Sequence, residues 1–308
     1  MLSTRFFRFF RYLNWKTLTK TVARVGQRRL FGLSAEIAYN AMLSLFPAIL
    51  AVITAIGLFE DSLQSTFKEL ANQLSQVAPD EAMVLIRDFS KQITQTRNTG
   101  LFSISFIVAI WAASGALSAA MTALDRIHEI PPEQMRPFWK AKLVSLGLTI
   151  GTILLLVLAS FLVFISDWLL DFFVLKSQNR LWFLLVIWQL LSWPIALAIV
   201  AAAFGFVYRY GPSVWNSGMP LMPGAVLAAV SWAFVSAGFR LYVANFGNYN
   251  QAYGTIGAVI VLMLWLYMSG LVLLVGDQLN VTVGEKMQLR SQAAKQEAKN
   301  KKQETANY

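Results

Sequence analysis

The sequence predicts an all-α integral membrane protein with six transmembrane helices, on the strength of three observations. Hydrophobic residues make up 56% of the chain, above the roughly 45–50% that is usual in soluble domains. Charged residues are only 14% and lie almost entirely between long apolar runs. The basic residues among them collect in alternate connections between those runs.

Each of six apolar runs is long enough to cross a membrane as a helix. A hydrocarbon core of about 30 Å requires about 20 residues at about 1.5 Å per residue. We therefore expect a transmembrane domain over residues 33–283, between an N-terminal segment, 1–32, and a polar tail, 284–308. The predicted spans are 33–59, 101–124, 143–166, 181–208, 220–244 and 253–283.

The Lys and Arg residues indicate the direction in which the spans run. The N-terminal segment, the second and fourth connections and the tail together carry 19 of them, whereas the first, third and fifth connections carry 6. Basic residues accumulate on the cytoplasmic side of membranes. The asymmetry therefore predicts a multi-pass protein with both termini in the cytoplasm and the connection 60–100 outside.

The N-terminal segment 1–32 is basic and contains no acidic residue. Arg5, Arg8 and Arg11 are separated by aromatic residues, which is typical of an amphipathic helix on an anionic membrane surface. Two targeting signals are alternatives. A transit peptide is disfavoured by the low Ser content, and a twin-arginine signal at Arg28-Arg29 lacks an A-x-A cleavage site. We favour a retained segment that leads into the first span.

The connections differ in character. Apolar residues recur at helical spacing on both sides of Pro79-Asp80, so we expect two short amphipathic helices in the connection 60–100. The proline-rich connection that contains His128 should be extended or turned. The tail 284–308 is polar, and we expect it to fray or to be disordered.

Two prolines lie near the centres of predicted spans. Proline in a helix removes a backbone hydrogen bond and kinks or breaks the helix, so Pro47 and Pro194 are candidate helix breaks. Paired breaks occur at the binding sites of transporters, but such prolines also serve packing alone. The sequence shows no inverted repeat, and it leaves both interpretations open.

Five stretches of the chain carry a family signature. They are AEIAYNAMLSLFP, WAASGALSAAMTALDRI, RPFWKAK, YRYGP and the segment that runs from PGAVLAAVSWAF to LLVGDQLN. In this order and spacing, over residues 33–283, they resemble the YihY/BrkB family of bacterial inner-membrane proteins, some once labelled ribonuclease BN. The resemblance implies six helices in a bacterial inner membrane and no established reaction. One departure is Asp277, where the family motif usually has Glu.

Acidic and amide residues near the predicted cytoplasmic ends of the spans are the candidates for a functional site. A charge in hydrocarbon costs about 2.5–3.5 kcal/mol on insertion scales, so such groups usually lie inside the protein and serve a function. Five residues share one depth by this reasoning: Glu36, Asn40, Asp125, Asp277 and Asn280. This candidate polar layer is either a vestibule or a set of solvated helix ends, and the sequence leaves both interpretations open.

The sequence predicts no catalytic, cofactor-binding or metal-binding residues. It contains no cysteine and no hydrolase, kinase, dinucleotide-binding or HExxH motif. His128 is the only histidine, and its place in a proline-bounded connection predicts a surface position. Topology already accounts for the basic residues, so we expect neither a nucleic-acid partner nor an enzyme, ribonuclease included.

The function that fits these features is a transporter or exporter of a lipid or amphipathic solute. The alternative is a non-transporting scaffold that maintains the cell envelope through its N-terminus and outer helices. The expected partners are membrane lipids and a small-molecule or lipid substrate. The substrate, the coupling ion and the oligomeric state stay open, a homo-oligomer included.

The predicted topology can be tested with reporter fusions. Fusions after positions 20, 135, 214 and 300 should report the cytoplasm, and fusions near positions 80, 178 and 249 the outside, because basic residues hold the former segments inside. A cytoplasmic signal from the connection 60–100 would contradict the six-span topology.

Overall fold

The part of the chain that the structure describes is α-helical apart from turns. The computed structural model describes residues 9–58, 99–176, 182–215, 218–245 and 247–306. Its helices are α1 (Trp15–Gln27), α2 (Leu30–Leu58), α3 (Thr99–Ile127), α4 (Phe138–Lys176), α5 (Trp182–Tyr210), α6 (Met222–Asn245) and α7 (Gly247–Ala306), with a 3-10 turn at Pro132–Gln134. The predicted all-α class is confirmed. The two short helices expected between 60 and 98 lie outside the described residues.

Five segments of the described helices are long and apolar enough to cross a membrane. They are Phe106–Ile127, Phe138–Leu158, Leu190–Tyr210, Met222–Val243 and Val259–Arg290. A shorter apolar segment, Leu30–Leu45, lies in α2. Large apolar side chains are exposed on these helices, Leu154, Leu190 and Phe234 among them, which suits contact with lipid and not with water. The chain is a membrane protein, and a sixth span in α2 stays a prediction.

The chain forms two compact units, and both α2 and α3 enter each of them. Residues 1–39 and 116–308 form the first unit, and residues 40–115 form the second. Within the first unit, α4 packs against α5, α5 against α6, α6 against α7, and α1 against α7. Within the second unit, Gly115 lies so close to Asn40 that a Cβ at position 115 would be 3.0 Å from Asn40 Oδ1.

Small residues allow the helices of the first unit to approach closely. Membrane helices pack through such residues because the apolar driving force between helices is absent in lipid. At Gly276 of α7, a Cβ would be 2.5 Å from Tyr208 Oη, 2.6 Å from Ala228 Cβ and 3.0 Å from the Gly224 carbonyl oxygen. Gly276 therefore permits α7 to contact both α5 and α6 at one point.

The predicted fraying or disorder of the tail 284–308 is wrong through Ala306, because α7 is one helix from Gly247 to Ala306. No Gly or Pro follows Gly284, and the Ala, Lys, Glu and Gln residues there have high helix propensity. The polar composition of the tail indicates contact with water and not a lack of helix. Lys286 also anchors this part of α7, since its Nζ donates to Asn14 Oδ1 and Thr17 Oγ1, both at 3.1 Å.

Neither candidate helix break ends a helix. Pro47 lies inside α2 and Pro194 lies inside α5, and both helices continue past them. Each proline still lacks the N–H that an interior helical residue donates. The two residues therefore stay candidates for local bending, but not for interruption.

Helix α1 is amphipathic, and it follows the arginine-rich stretch around Arg11 for which an amphipathic helix is predicted. Its Thr17, Thr21 and Val25 are buried, whereas Trp15 and Val22 are 79% and 71% exposed. Phe9 is fully buried against Leu279 and Val283 of α7, so this part of the segment faces protein. The stripe that is available for lipid thus lies on α1, and contact with the membrane surface stays a prediction; Arg5 and Arg8 lie outside the described residues.

Replacing Gly276 by Ala should destabilise the protein. The added methyl group has no room between α5 and α6, and overpacking of this kind costs about 1–3 kcal/mol. The matched control is Gly238→Ala, because a Cβ at that position meets nothing within 4 Å. Thermal unfolding in detergent should give a lower Tm for Gly276→Ala only. Equal Tm values for the two variants would refute the close contact.

Candidate functional site

The first unit has a polar end, at which the last turns of α3 and α5, the start of α6 and residues 277–285 of α7 meet. The side chains buried there are unusually polar for a membrane protein. We call the following residues the polar end: Arg28, Asp125, His128, Asp277, Gln278 and Asn280. Buried polar groups in a membrane protein need partners inside the protein, so the partners reveal what each residue does.

Asn280 caps the start of α6. Its Oδ1 accepts from the Gly224 N–H at 2.8 Å, and its Nδ2 donates to the Leu221 carbonyl oxygen at 2.9 Å. The first N–H groups of a helix have no partner within the helix, and Leu221, the residue before α6, has no side-chain oxygen to supply one. Asn280 replaces that missing cap from another helix, so its role is structural.

Asp125 holds the turn after α5. Its two carboxylate oxygens accept from the Ser213 N–H at 2.6 Å and from Ser213 Oγ at 2.7 Å. Arg136 secures the same turn by donating to the carbonyl oxygens of Gly211 and Pro212, both at 2.7 Å. These bonds fix the connection between α5 and α6, so Asp125 also serves the fold.

Arg28 joins three parts of the chain. It follows α1, and its guanidinium donates to Gln278 Oε1 of α7 at 2.8 Å, to the Ile127 carbonyl oxygen and to the Glu129 carboxylate. Glu129 is 70% exposed on its side chain, whereas Arg28 is 9% exposed. A planar guanidinium with several fixed donors suits such a junction better than an ammonium group.

His128 and Asp277 form a buried ionisable pair. His128 Nε2 lies 2.9 Å from Asp277 Oδ2, and the two side chains are 2% and 1% exposed. His128 Nδ1 has no hydrogen-bond partner in the described part of the chain. The Trp215 ring lies 6.0 Å from the imidazole, and the Arg209 guanidinium lies over that indole at 4.9 Å. This pair is the part of the polar end with a free hydrogen-bonding position.

The predicted surface position of His128 is wrong, and the end of α3 supplies the reason. The Ile130 N–H donates to the Asp125 carbonyl oxygen at 3.0 Å and the Glu129 N–H to that of Arg126, with Glu129 in the left-handed region at φ 53°. This is a Schellman motif, which ends α3 only after His128. The His128 N–H still donates to the Leu124 carbonyl oxygen at 2.9 Å, so His128 continues the last turn of α3 and does not belong to an extended surface loop. The sequence signal of the motif is weak, because Gly usually occupies the position of Glu129.

Three of the five residues of the predicted polar layer lie together in the structure. Asp125, Asp277 and Asn280 belong to the polar end, together with Arg28, His128 and Gln278, which sequence reasoning did not select. Glu36 is exposed on α2 in the first unit. Asn40 is half-buried beside Gly115 in the second unit. That Glu36 and Asn40 act with the others stays a prediction. Among the described residues, no group of three or more His, Cys, Asp or Glu could hold a metal ion.

Comparisons with known proteins identify relatives along most of the chain. The family model described as Virulence factor BrkB matches residues 21–302. The putative ribonuclease-like protein YfkH of Bacillus subtilis (strain 168) is 32% identical over 259 residues, which cover 83% of this chain and 90% of the relative. A UPF0761 membrane protein of Tolumonas auensis is 26% identical over 85% of this chain and 83% of the relative. No solved structure matches the chain.

Replacing Arg28 by Gln should lower stability. The Ile127 carbonyl oxygen and Gln278 Oε1 would lose a donor, and each unsatisfied buried acceptor costs about 1–3 kcal/mol. Arg29→Gln is the matched control, because it makes the same charge change at the exposed neighbouring residue. A fall of several degrees in Tm is expected for Arg28→Gln alone. Two variants with the Tm of the wild type would show that Arg28 does not hold the junction.

Proposed function

The chain belongs to the Virulence factor BrkB family, which confirms the resemblance seen in its motifs, and we propose that it transports or exports a lipid or another amphipathic solute across the bacterial inner membrane. In this proposal both termini are cytoplasmic and α2 is the sixth span. The polar end then lies on the cytoplasmic side, where it forms part of the pathway.

The observation that carries the proposal is the His128–Asp277 pair. Burying ionisable groups is costly, and in membrane proteins such groups mark pathways and relays. Asp125 and Asn280 each hold an element of the fold, whereas His128 has a buried nitrogen without a hydrogen-bond partner among the described residues. A free hydrogen-bonding position inside a membrane protein supports a role in binding.

The surroundings of the pair support an amphipathic substrate. An apolar cluster that includes Leu124, Ile127 and Leu274 adjoins the polar end. Trp215, whose ring lies 6.0 Å from the imidazole, and Arg209, whose guanidinium lies over that indole, supply an aromatic face and a positive charge. Apolar and charged surfaces at one site favour a molecule with both kinds of group, such as a lipid with an anionic head.

A scaffold remains the second candidate because of the far end of α7. Beyond Leu289 this helix is polar, and its described side chains are exposed up to Gln303. A polar helix that projects from a membrane domain offers a docking surface for a partner. Truncation after Arg290 separates the two candidates: it should leave transport intact but abolish a scaffold function.

A ribonuclease function is not proposed for this chain, although one relative carries the name of a ribonuclease-like protein. The imidazole that such chemistry could use is buried against Asp277. An RNA strand requires an exposed basic groove next to the reacting groups.

Flux measurements with the reconstituted full chain test the transport proposal. Proteoliposomes should move fluorescent phospholipids or amphipathic anions faster than protein-free vesicles. Asp277→Asn and His128→Gln should lower the initial rate about tenfold, which corresponds to about 1.4 kcal/mol in the barrier. Glu36→Gln should have a smaller effect, because Glu36 is exposed.

The matched control for these variants is Glu133→Gln, which removes an exposed acid from the 3-10 turn after α3. It should keep the wild-type rate, and all variants should keep a wild-type elution profile in size-exclusion chromatography. Unchanged rates for both Asp277→Asn and His128→Gln would place the pathway elsewhere. No flux of any compound above protein-free vesicles would leave the scaffold as the better interpretation.

A further inference from the structure

We propose that His128 is the proton-binding site of this protein, with Asp277 as its fixed counter-ion, and that binding of the proton is coupled to transport. The inference rests on the proposed function and names its coupling ion. It starts from the geometry of the two side chains, which come from the end of α3 and from α7 and are buried together.

The two nitrogens of His128 have different surroundings. Nε2 lies 2.9 Å from Asp277 Oδ2, so the neutral imidazole carries its hydrogen on Nε2 and donates it to the carboxylate. Nδ1 then carries a buried lone pair that has no hydrogen-bond partner among the described residues. The incoming proton therefore binds at Nδ1. One N–H bond forms, no bond in the protein breaks, and the imidazole becomes an imidazolium.

The charge balance of the pair favours this uptake. With a neutral imidazole, the pair carries the single negative charge of Asp277 at a position that is 1% exposed. With an imidazolium the pair is neutral, and an adjacent opposite charge stabilises the protonated form.

The other ionisable groups around the polar end have partners of their own, which leaves the pair as the place for the proton. Arg28 donates to Gln278 and Glu129, and Asp125 accepts from Ser213. Tyr208 donates to the Leu273 carbonyl oxygen, and Arg209 lies over Trp215. Glu285 forms ion pairs with Lys20 and Arg24.

Protonation changes the attachment of two helices. With a neutral imidazole the two side chains are joined by one hydrogen bond to the carboxylate, whereas an imidazolium and a carboxylate also attract each other as opposite charges, so the attachment is stronger when the proton is bound. Because His128 closes α3 and Asp277 belongs to α7, the proton holds these helices together and its release loosens them. A ligand shifts a conformational equilibrium by its differential affinity for the two states, and here the ligand is the proton.

Because the chain has a single histidine, NMR can observe the protonation of its imidazole ring directly. The full chain, labelled with 15N only in its histidine ring and purified with a tag that lacks histidine, should show one imidazole in nanodiscs. Its 15N shifts should change from those of the Nε2–H tautomer to those of imidazolium as the pH is lowered. A ring that keeps one protonation state at every pH at which the protein stays folded, or a neutral ring with its hydrogen on Nδ1, would overturn the proposal.

Variants of Asp277 test the counter-ion. In Asp277→Asn the amide oxygen can still accept from Nε2, but the negative charge is gone, so the midpoint of the titration should fall. Asp277→Glu keeps the charge and should stay near the wild-type midpoint. Glu133→Gln removes an acid outside the pair and is the control, so it should leave the midpoint of the titration unchanged. Equal midpoints in Asp277→Asn and the wild type would show that Asp277 is not the counter-ion.

Proteoliposomes with a trapped pH-sensitive dye test the coupling. Addition of the solute that the flux panel identifies should move protons together with it, and an imposed pH gradient should change the solute rate severalfold. Solute flux without proton movement would overturn the coupling but leave the transport proposal intact. Absence of any solute flux would overturn both.

Discussion

One turn of α7 holds most of the first unit together, because its polar side chains need partners inside the protein. Successive residues of an α-helix point about 100° apart, so Gly276, Asp277 and Gln278 face different neighbours, and Asn280, four residues after Gly276, returns to the face that contacts α6. Gly276 lies against α5 and α6, Asp277 binds His128 at the end of α3, Gln278 accepts from Arg28 after α1, and Asn280 caps α6. A short stretch of α7 with four different residues can therefore position four other helices.

The same constraint separates structural from functional groups at the polar end. Asn280 and Asp125 each satisfy orphan donors of another segment, and these bonds explain why an amide and a carboxylate lie there. Arg28 satisfies acceptors on α7 and at the end of α3. His128 and Asp277 satisfy only each other among the described residues, and Nδ1 is left without a partner. The fold therefore accounts for the first three residues and leaves the pair to be explained.

Sequence patterns predicted the positions of the long helices, because these depend on residues that are close together in the chain. The six apolar runs correspond to α2–α7, and the run 181–208 agrees with Trp182–Tyr210 to within a few residues. The continuation of α7 was missed because polar composition was equated with disorder, although helix propensity there is high. The helical content of a polar segment depends on its residue types and on the preceding helix, and hydropathy measures neither.

The candidate site was harder to predict because it depends on contacts between distant residues. Depth along the spans grouped Asp125, Asp277 and Asn280 with Glu36 and Asn40, but it said nothing about the partners of these residues. His128 is 149 positions away from Asp277, and its neighbouring prolines suggested a surface loop. Only the left-handed turn at Glu129 reveals that the chain reverses there, and a glutamate is a poor signal for such a turn.

Stability alone does not explain why His128 and Asp277 lie together in the interior. The cost of removing two charges from water largely cancels their attraction, and apolar residues of similar volume often stabilise a protein equally well or better. Leu124 and Leu274 near the polar end show that apolar side chains do pack there. A buried histidine and aspartate add the one property that apolar residues lack, which is the ability to bind and release a proton. That property links α3 to α7 in a way that depends on pH, and a membrane protein that works between two compartments can use it to couple one movement to another.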